Sequence, residues 1–357
     1  MPGRPVVSRV TDAISTDCDV AVIGAGIAGL AAATTLSASG RRVVVLEKSR
    51  GIGGRMATRR IGGAVCDHGA QHFAVKGRAF GSIVAEAEAA GAVTSWCDLF
   101  PAAKTAAGPA VDPLDKAGHA RWRGVKGMTD LPKRLAAQLS VPVRTQTRVA
   151  AVAVEGERLS CRFDDGDVLT AAAVIVTVPV PQAIDLFTAG GFTPPQADAA
   201  GWEQLAAVAY DPCFSLMLVL DRPSLLPPPG GLEVEAGPLA WIADNQQKGI
   251  SAVPSLTIQA RGDFSREHFE NDQAEVTRLL TEAAAAWIDG DPATSVTDHS
   301  LQRWKFAFPV EPLKQPMVAL SHSPPVVCCG DAFGGGRVEA AASSGLAVAR
   351  WLERLPA

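Results

Sequence analysis

DVAVIGAGIAGLAAATTLSASGRRVVVLEKSRGIGGRM, residues 19–56, decides how this 357-residue chain begins to fold. Asp19–Gly24 is apolar almost throughout, which predicts a strand buried on both faces. Ile27–Ser39 is small and apolar and predicts a tightly packed helix, with Gly40 where a C-terminal helix glycine belongs. Val43–Glu47 predicts a second buried strand, completing one βαβ unit. Gly24-Ala-Gly26-Ile-Ala-Gly29 joins the first strand to the helix, and Glu47 follows 18 residues after Gly29. Gly24 permits the tight turn, Gly26 lets backbone approach a pyrophosphate, and Gly29 lets helix and strand pack closely. The helix N-terminus supplies amides and partial positive charge, and Glu47 can accept from a ribose hydroxyl. G-x-G-x-x-G alone is a weak signal; with strand, helix and acid at this spacing it indicates a dinucleotide site. An acid after the second strand disfavours a 2′-phosphate and leaves FAD or NAD.

The residues after Glu47 separate these two. SRGIGGRMATRR, Ser49–Arg60, holds four arginines and three glycines in a chain of formal charge -4. A glycine turn ending Gly54-Arg55 can wrap a pyrophosphate from the side opposite the first helix. In its form GGRM it resembles the two-dinucleotide-binding-domain flavoproteins. Arg55 is the expected phosphate ligand. Arg50, Arg59 and Arg60 read as solvated, or as guides for an anionic substrate.

Two further stretches point to flavin. In Cys66–Ala74, CDHGAQHFA, the small pair Gly69-Ala70 permits a flat ring against backbone, followed by polar Gln71 and His72. For His72 a structural role and an active-site role both stand, and Asp67 reads as a loop brace. Cys328–Leu352 reads as a strand, a Gly330-Asp331 turn, and a helix opening near Val338. Asp331 can meet a ribityl hydroxyl, and the helix N-terminus favours an anionic reduced ring. Arg121–Met128, RWRGVKGM, reads either as an exposed loop or as a substrate wall, with Trp122 stacking a ring and Arg123 or Lys126 meeting phosphate. Trp241 in WIADN and Arg303 in RWKFAFP raise the same alternatives.

Hydrophobic residues form 47% of the chain, which suits a well-buried globular protein rather than a disordered one. The near balance of charge gives no whole-chain attraction for nucleic acid or an anionic membrane. No apolar run reaches membrane-spanning length, and residues 1–16 read as a loose N-terminal extension. The seven cysteines are scattered without C-x-x-C, so neither disulfides nor a metal site is expected, and a cytoplasmic setting fits. Strands are also expected at 141–149, around 150–163, at 171–178, at Cys213–Leu220, and in LAWIAD, SLTIQA and PPVVCCG. DDG at Asp164–Gly166 signals a hairpin, and 272–287 a helix. The expected fold is α/β: a Rossmann-like two-dinucleotide-binding-domain flavoprotein with an inserted α+β substrate domain carrying an antiparallel sheet. Residues 17–75, 140–185 and 320–357 would form the discontinuous FAD-binding domain; 76–139 and 186–319 would bind substrate.

These pieces in this order resemble the renalase branch of the flavin amine oxidase superfamily, bacterial renalases most closely. EKSRGIGGRM, DHGAQHF, RWRGVKGM, WIADN, Trp304–Pro309 and GD…GRVEAAASSG carry the resemblance, from Asp19 to Leu352. It implies non-covalent FAD and oxidation of 2- or 6-dihydroNAD(P) to NAD(P)+, with O2 reduced to H2O2. It also implies that Ala28, Glu47, Lys48, Arg55, Gln71, His72, Val149, Asp331 and Val338 line FAD. Trp122, Arg123, Gly124 and Arg337 would lie toward substrate, with His72 between. There are departures: His72 replaces a usual tyrosine, Ala340-Ala341-Ala342 a glycine-alanine-aromatic run, and Ala332-Phe333 a tryptophan-containing turn. They lie where flavin and substrate would meet. The chemistry agrees, because hydride loss from a dihydropyridine yields an aromatic cation and asks for alignment rather than a strong base. Rival readings are an amine oxidase or other small-molecule oxidoreductase on the same fold, a carotenoid-type desaturase or isomerase, and a flavin-holding sensor or scaffold. The amine oxidase loses ground because the chain has one tyrosine, Tyr210.

Overall fold

The computed structural model describes residues 17–107, 119–194 and 196–355; the expected extension at 1–16 lies outside them. The chain begins with β1 (Asp17–Ile23), α1 (Ile27–Ala38), β2 (Val43–Leu46), β3 (Thr58–Ile61), β4 (Ala64–Asp67) and α2 (Arg78–Ala89). Next come β5 (Val93–Cys97), β6 (Ala102–Thr105), β7 (Arg121–Gly124), α3 (Asp130–Ala136), β8 (Val149–Glu155), β9 (Arg158–Phe163), β10 (Val168–Val176), α4 (Val180–Ala189) and α5 (Ala199–Ala206). Then follow β11 (Tyr210–Leu220), β12 (Gly231–Ala236), β13 (Leu239–Asp244), β14 (Ser255–Ala260), α6 (Gly262–Glu267), α7 (Gln273–Ala283) and α8 (Pro292–Ser295). The last elements are β15 (Val296–Pro309), β16 (Val318–His322), β17 (Pro325–Cys328) and α9 (Val338–Glu353).

A seven-stranded sheet has the core order β16-β17-β10-β1-β2, with β9 on β10 and β8 on β9. β1 runs parallel to β2 and β10, and β10 parallel to β17. Side-chain alternation explains why β1 and β2 read as continuous apolar runs. Val20, Val22, Val43 and Val45 enter one core with α1, α2, α3 and α9. Ala21, Ile23, Val44 and Leu46 enter the other, with β8, β9, α4 and α5. Both faces are covered, so neither strand keeps a polar side. A second, six-stranded sheet runs β15-β11-β14-β13-β12-β6. It is antiparallel apart from the β12–β6 pair, and its core holds Phe214, Leu216 and Leu218 with Val276 and Leu280 of α7.

The fold is the expected mixed α/β, with some local differences. The strand expected over 141–149 is mostly irregular. Arg144 alone bridges Leu46, and Gln146, at φ 55, breaks extended backbone before β8 begins. The helical stretch 272–287 ends at Ala283 and tightens into a 3-10 turn at Ala285–Trp287. Tyr210, expected ahead of a strand, opens β11. The packing also divides 76–139. Phe80, Val84, Met128 and Leu131 join the core around β1 and α1, and only β6 extends the six-stranded sheet. Their apolar faces lie against α1 and α9 rather than the six-stranded sheet.

Missing side chains set the closest approaches. A Cβ on Gly29 would sit 2.1 Å from the Gly24 carbonyl oxygen, and one on Gly345 of α9 2.0 Å from that of Ala28. The two helices therefore meet backbone to backbone. Gly345→Ala should destabilise the protein by roughly 1–3 kcal/mol through overpacking. Gly51→Ala, where the added carbon meets nothing within 4 Å, should stay within about 0.5 kcal/mol. Denaturant unfolding of the two variants checks this, and equal midpoints would contradict the close crossing.

Candidate functional site

The first glycine turn is held from behind by Thr177, whose hydroxyl donates to the Ile23 and Gly24 carbonyls at 3.0 and 3.1 Å. Gly24 takes φ 110, and a Cβ there would lie 2.5 Å from the Thr177 hydroxyl. Gly26 precedes α1 without a side-chain cap, and no acid stands in the first turn. A Cβ on Gly26 would meet nothing within 4 Å, so the glycine leaves open the approach to the helix amides that a pyrophosphate requires. Gly29 is spent on packing, as its place in the motif predicts.

The second turn zips onto the first. The Gly53 amide donates to the Ala25 carbonyl at 2.8 Å. Glu47 is almost buried, and its carboxylate accepts from the Ala25 amide at 2.9 Å and the Ser49 amide at 2.8 Å. Gly53 and Gly54 turn at φ 108 and 54, a region where glycine is favoured. The 66–74 stretch docks on this turn. The Ala70 amide donates to the Arg55 carbonyl at 2.7 Å, and a Cβ on Gly69 would fall 2.0 Å from that oxygen. Gly69 thus serves the Arg55 backbone, a tighter constraint than the flat ring expected from sequence.

The Arg55 guanidinium donates to both carboxylate oxygens of Asp331 and to the Phe306 and Ala307 carbonyls at 3.2 and 3.3 Å. Tyr210 lies beside them, its hydroxyl 3.5 Å from Asp331. Arg59, expected to be solvated, donates to Ser300 and Gln302 at 2.8 and 2.9 Å, because β3 lies against β15. Arg60 is exposed.

These turns line one cleft of about 2180 Å³. It gathers Gly24, Gly26, Ala28, Glu47, Lys48, Gly54, Arg55, Gly69, Ala70, Gln71, His72, Val149, Trp241, Gly330, Asp331, Arg337 and Val338. Lys48 also donates to Gln182 at 3.2 Å. Trp122, Arg123 and Gly124, expected toward substrate, do not line it. Phe73 and Trp122 bridge as antiparallel strands, so both side chains enter the helical core. The Arg123 guanidinium is tied to the Gly124 and Val125 carbonyls at 3.0 and 3.2 Å. A Cβ on Gly124 would lie 1.8 Å from the Gly127 carbonyl oxygen. The cleft-facing member of that strand is Arg121.

His72 packs against Phe100 and Trp241, ring centroids 5.0 and 5.6 Å away. Burial, then Arg121, Lys248 and Arg337, pull its pKa down to about 3. His68 stacks on Trp304 at 5.4 Å; burial and Arg59 pull its pKa to about 4, against Asp67. Beneath them is an ion pair that sequence reading missed. The Lys248 ammonium meets Asp67 at 2.7 Å with both side chains fully buried, and Gln71 Oε1 at 3.5 Å. Asp67 also accepts from the Thr58 hydroxyl at 2.6 Å and the Met128 amide at 2.8 Å. Burial draws the Lys248 pKa below its ordinary value, against the pull of Asp67. The only sequence signal was the nearness of NQQKG to WIADN, and it named no partner. No cluster of metal-ligating side chains occurs among the described residues, and no helix among them is long and apolar enough to cross a membrane.

Two interlocked glycine turns, an uncapped helix N-terminus, and an Arg55–Asp331 pair joining the first and last motifs define a flavin-dependent oxidoreductase of the two-dinucleotide-binding type. The comparisons agree. Residues 88–352 match the flavin containing amine oxidoreductase family, and residues 22–86 an NAD(P)-binding Rossmann-like domain. The chain belongs to the flavin containing amine oxidoreductases, whose cofactor is FAD. It is 51% identical to putrescine oxidase of Kocuria rosea over 53 residues, which is 15% of this chain and 11% of that protein. It is 46% identical to 4,4'-diapophytoene desaturase of Staphylococcus haemolyticus over 50 residues, 14% of this chain and 10% of that protein. These matches thus span only about a tenth of each relative. The fold resembles a structure of putrescine oxidase bound to putrescine, with TM-score 0.72, 16% identity, and coverage of 94% of this chain and 99% of that one. It also resembles a fatty acid isomerase from P. acnes, with TM-score 0.67, 12% identity, and coverage of 95% and 99%.

Two outcomes follow from this geometry. Arg55→Ala should lose FAD on gel filtration far more readily than Arg59→Ala, since Arg55 alone reaches both the second turn and Asp331; equal flavin content would contradict it. His68 and His72 are neutral when folded and regain protons on unfolding, so acid favours the unfolded chain. Their contribution is complete above about pH 6.5 and declines as pH falls toward about 4 for His68 and about 3 for His72. Melting temperature should therefore fall with pH across that window, and less steeply in a His68→Gln/His72→Gln double variant. Parallel curves would refute the assignment.

Proposed function

We propose that this protein is a renalase-like oxidase that takes hydride from 2- or 6-dihydroNAD(P), giving NAD(P)+, with O2 reduced to H2O2. The chemistry that bound FAD supplies is acceptance of that hydride and its delivery, as two electrons, to O2. Two protons complete the peroxide, one from the donor carbon and one from solvent. The residues proposed to hold FAD are the two glycine turns, Glu47, Lys48, Arg55, the 69–72 stretch, Val149, and Gly330 to Val338. The open Gly26 cradle and the uncapped α1 suit a pyrophosphate.

The observation that carries the reading is the charge around His72. The charges acting on this neutral ring are all cations. Most carboxylates lining the cleft are already engaged: Glu47 by the Ala25 and Ser49 amides, Asp130 by the Lys126 amide, Asp164 by Arg148, Asp331 by Arg55, and Glu339 by the Lys76 and Gly77 amides. Asp185 and Glu233 remain, and both are exposed. No carboxylate acts on His72, so a protonated amine beside that ring gains no counter-charge. An anionic dinucleotide finds cations, and hydride loss to an aromatic product needs no general base. The cleft exceeds the roughly 300–1,000 Å³ of an ordinary ligand site, which leaves room for a second nucleotide-sized molecule. Tyr210 sits beside Arg55 and Asp331 rather than pairing with His72.

Amine oxidation is the second reading, favoured by the likeness to putrescine oxidase along 94% of the chain. Anaerobic mixing separates the two. Under the main reading, 2- or 6-dihydroNAD(P) bleaches the flavin band near about 450 nm, putrescine leaves it unchanged, and air restores it with equimolar H2O2. Bleaching by putrescine and not by the dihydropyridines would replace the main reading with the second.

A further inference from the structure

We propose that Arg121, together with Arg337, forms an anion clasp at the His72 end of the cleft that grips a phosphate of the substrate. The proposal rests on the dihydronicotinamide dinucleotide reading and assigns its charge recognition to two residues.

β7 runs antiparallel beside residues 72–74, joined by the Phe73 and Trp122 amides, each donating to the other's carbonyl at 2.9 and 2.7 Å. Side chains alternate across such a pair. Phe73 and Trp122 therefore share the core face, and Arg121 and Arg123 take the face of His72. Arg123 is spent on the carbonyls of Gly124 and Val125. Arg121 lines the cleft, and its Nε is buried without a hydrogen-bond partner.

Arg337 arrives from the other end of the chain, as the residue before the 16-residue helix α9. It is exposed and lines the same cleft. Its neighbour Glu339 forms no ion pair with it, and turns its carboxylate to the Lys76 and Gly77 amides instead. The α9 N-terminus has no side-chain cap and adds partial positive charge. Of the other cleft arginines, Arg55 is engaged by Asp331, Arg59 by Ser300 and Gln302, Arg148 by Asp164, and Arg303 by the Phe269 and Asn271 carbonyls, while Arg50 and Arg60 are exposed and do not act on His72. Arg121 and Arg337 have no ion pair or hydrogen bond to their guanidinium groups among the described residues, yet both act on His72. Two unpaired guanidinium forks that line one cleft and both act on His72 suit a tetrahedral group with several oxygens, which each can bind bidentately.

The test uses the FAD-loaded enzyme and anaerobic stopped-flow flavin reduction. The donors are 6-dihydroNAD and 6-dihydro-N-methylnicotinamide, which lacks phosphate. Arg121→Gln should weaken the apparent affinity for the dinucleotide about tenfold or more with little change in limiting rate. It should leave the phosphate-free donor unaffected, and Arg121→Lys should recover part of the loss. Arg337→Gln should act in the same direction. Unchanged dinucleotide affinity in both glutamine variants, or an equal loss with the phosphate-free donor, would overturn the clasp while the oxidase reading stood. If neither donor reduces the flavin, that reading fails, and the clasp is judged by titrating inorganic pyrophosphate and acetate into the holoenzyme by calorimetry. Pyrophosphate binding that Arg121→Gln weakens supports the clasp. No binding, binding indifferent to the substitution, or acetate binding as tightly overturns it.

Discussion

The Glu47 carboxylate spans the two glycine turns, one oxygen on the Ala25 amide and the other on the Ser49 amide. The rest of the cleft is assembled from that tie. With Ala25 and Ser49 held, the Gly53 amide reaches the Ala25 carbonyl; with the second turn set, the Arg55 carbonyl receives Ala70. The Arg55 side chain then reaches Asp331, 276 residues later in the chain. Three stretches thus lock together through backbone contacts and the Arg55 side chain brings in the fourth, with close approaches that leave no room for a side chain at Gly24, Gly29 or Gly69. The acid therefore has a structural duty besides any bond to a ribose, and that duty holds it facing the first turn.

Charge is arranged against the chain's average. The whole sequence is slightly acidic, yet cationic side chains outnumber carboxylates along the cleft. Focusing one sign in a concave surface raises the local concentration of the opposite ion and speeds its capture. Burial, with these cations, keeps His72 neutral, so the ring can donate or accept one hydrogen bond without adding charge. A neutral ring among cations favours an anionic ligand over a cationic one.

The first βαβ unit was legible because its information is local. The apolar runs, the glycine spacing and Glu47 lie within 38 consecutive residues, and the turn and packing roles of Gly24 and Gly29 have counterparts in close approaches. Asp331 and Val338 were legible for the same reason, as a strand-turn-helix. The misreadings depend on distance. Trp122 looked like a ligand because tryptophan and arginine stood together, but the strand pairing with Phe73 turns it into the core. Arg121 was hidden in the same four letters, since alternation cannot be assigned until the partner strand is known. Arg59 read as solvated because β15, which receives it, begins more than two hundred residues later. The break at Gln146 is a positive-φ turn that apolar content does not report.

Lys248 is the extreme case, and stability alone does not explain it. Removing a lysine and an aspartate from water is expensive, and a well-packed apolar pair in such a place is often as stable or more so. The pair does what an apolar contact would not. Asp67 uses its other carboxylate oxygen to hold Thr58 and the Met128 amide, so Lys248 fastens the loop after β13 to both β3 and the turn before α3. Its remaining reach goes to Gln71 Oε1, whose amide nitrogen is held by the Asp67 and Gly69 carbonyls. Gln71 is thereby fixed in one orientation directly beside His72. The buried charge adds to the field at that ring from beneath while Arg121 and Arg337 act from the cleft. A lysine is suited to this because a compact ammonium on a long stem delivers charge deep into the protein with three donors. The cost of burying it is borne where the six-stranded sheet meets the dinucleotide turns, the junction at which the cleft has to keep its shape.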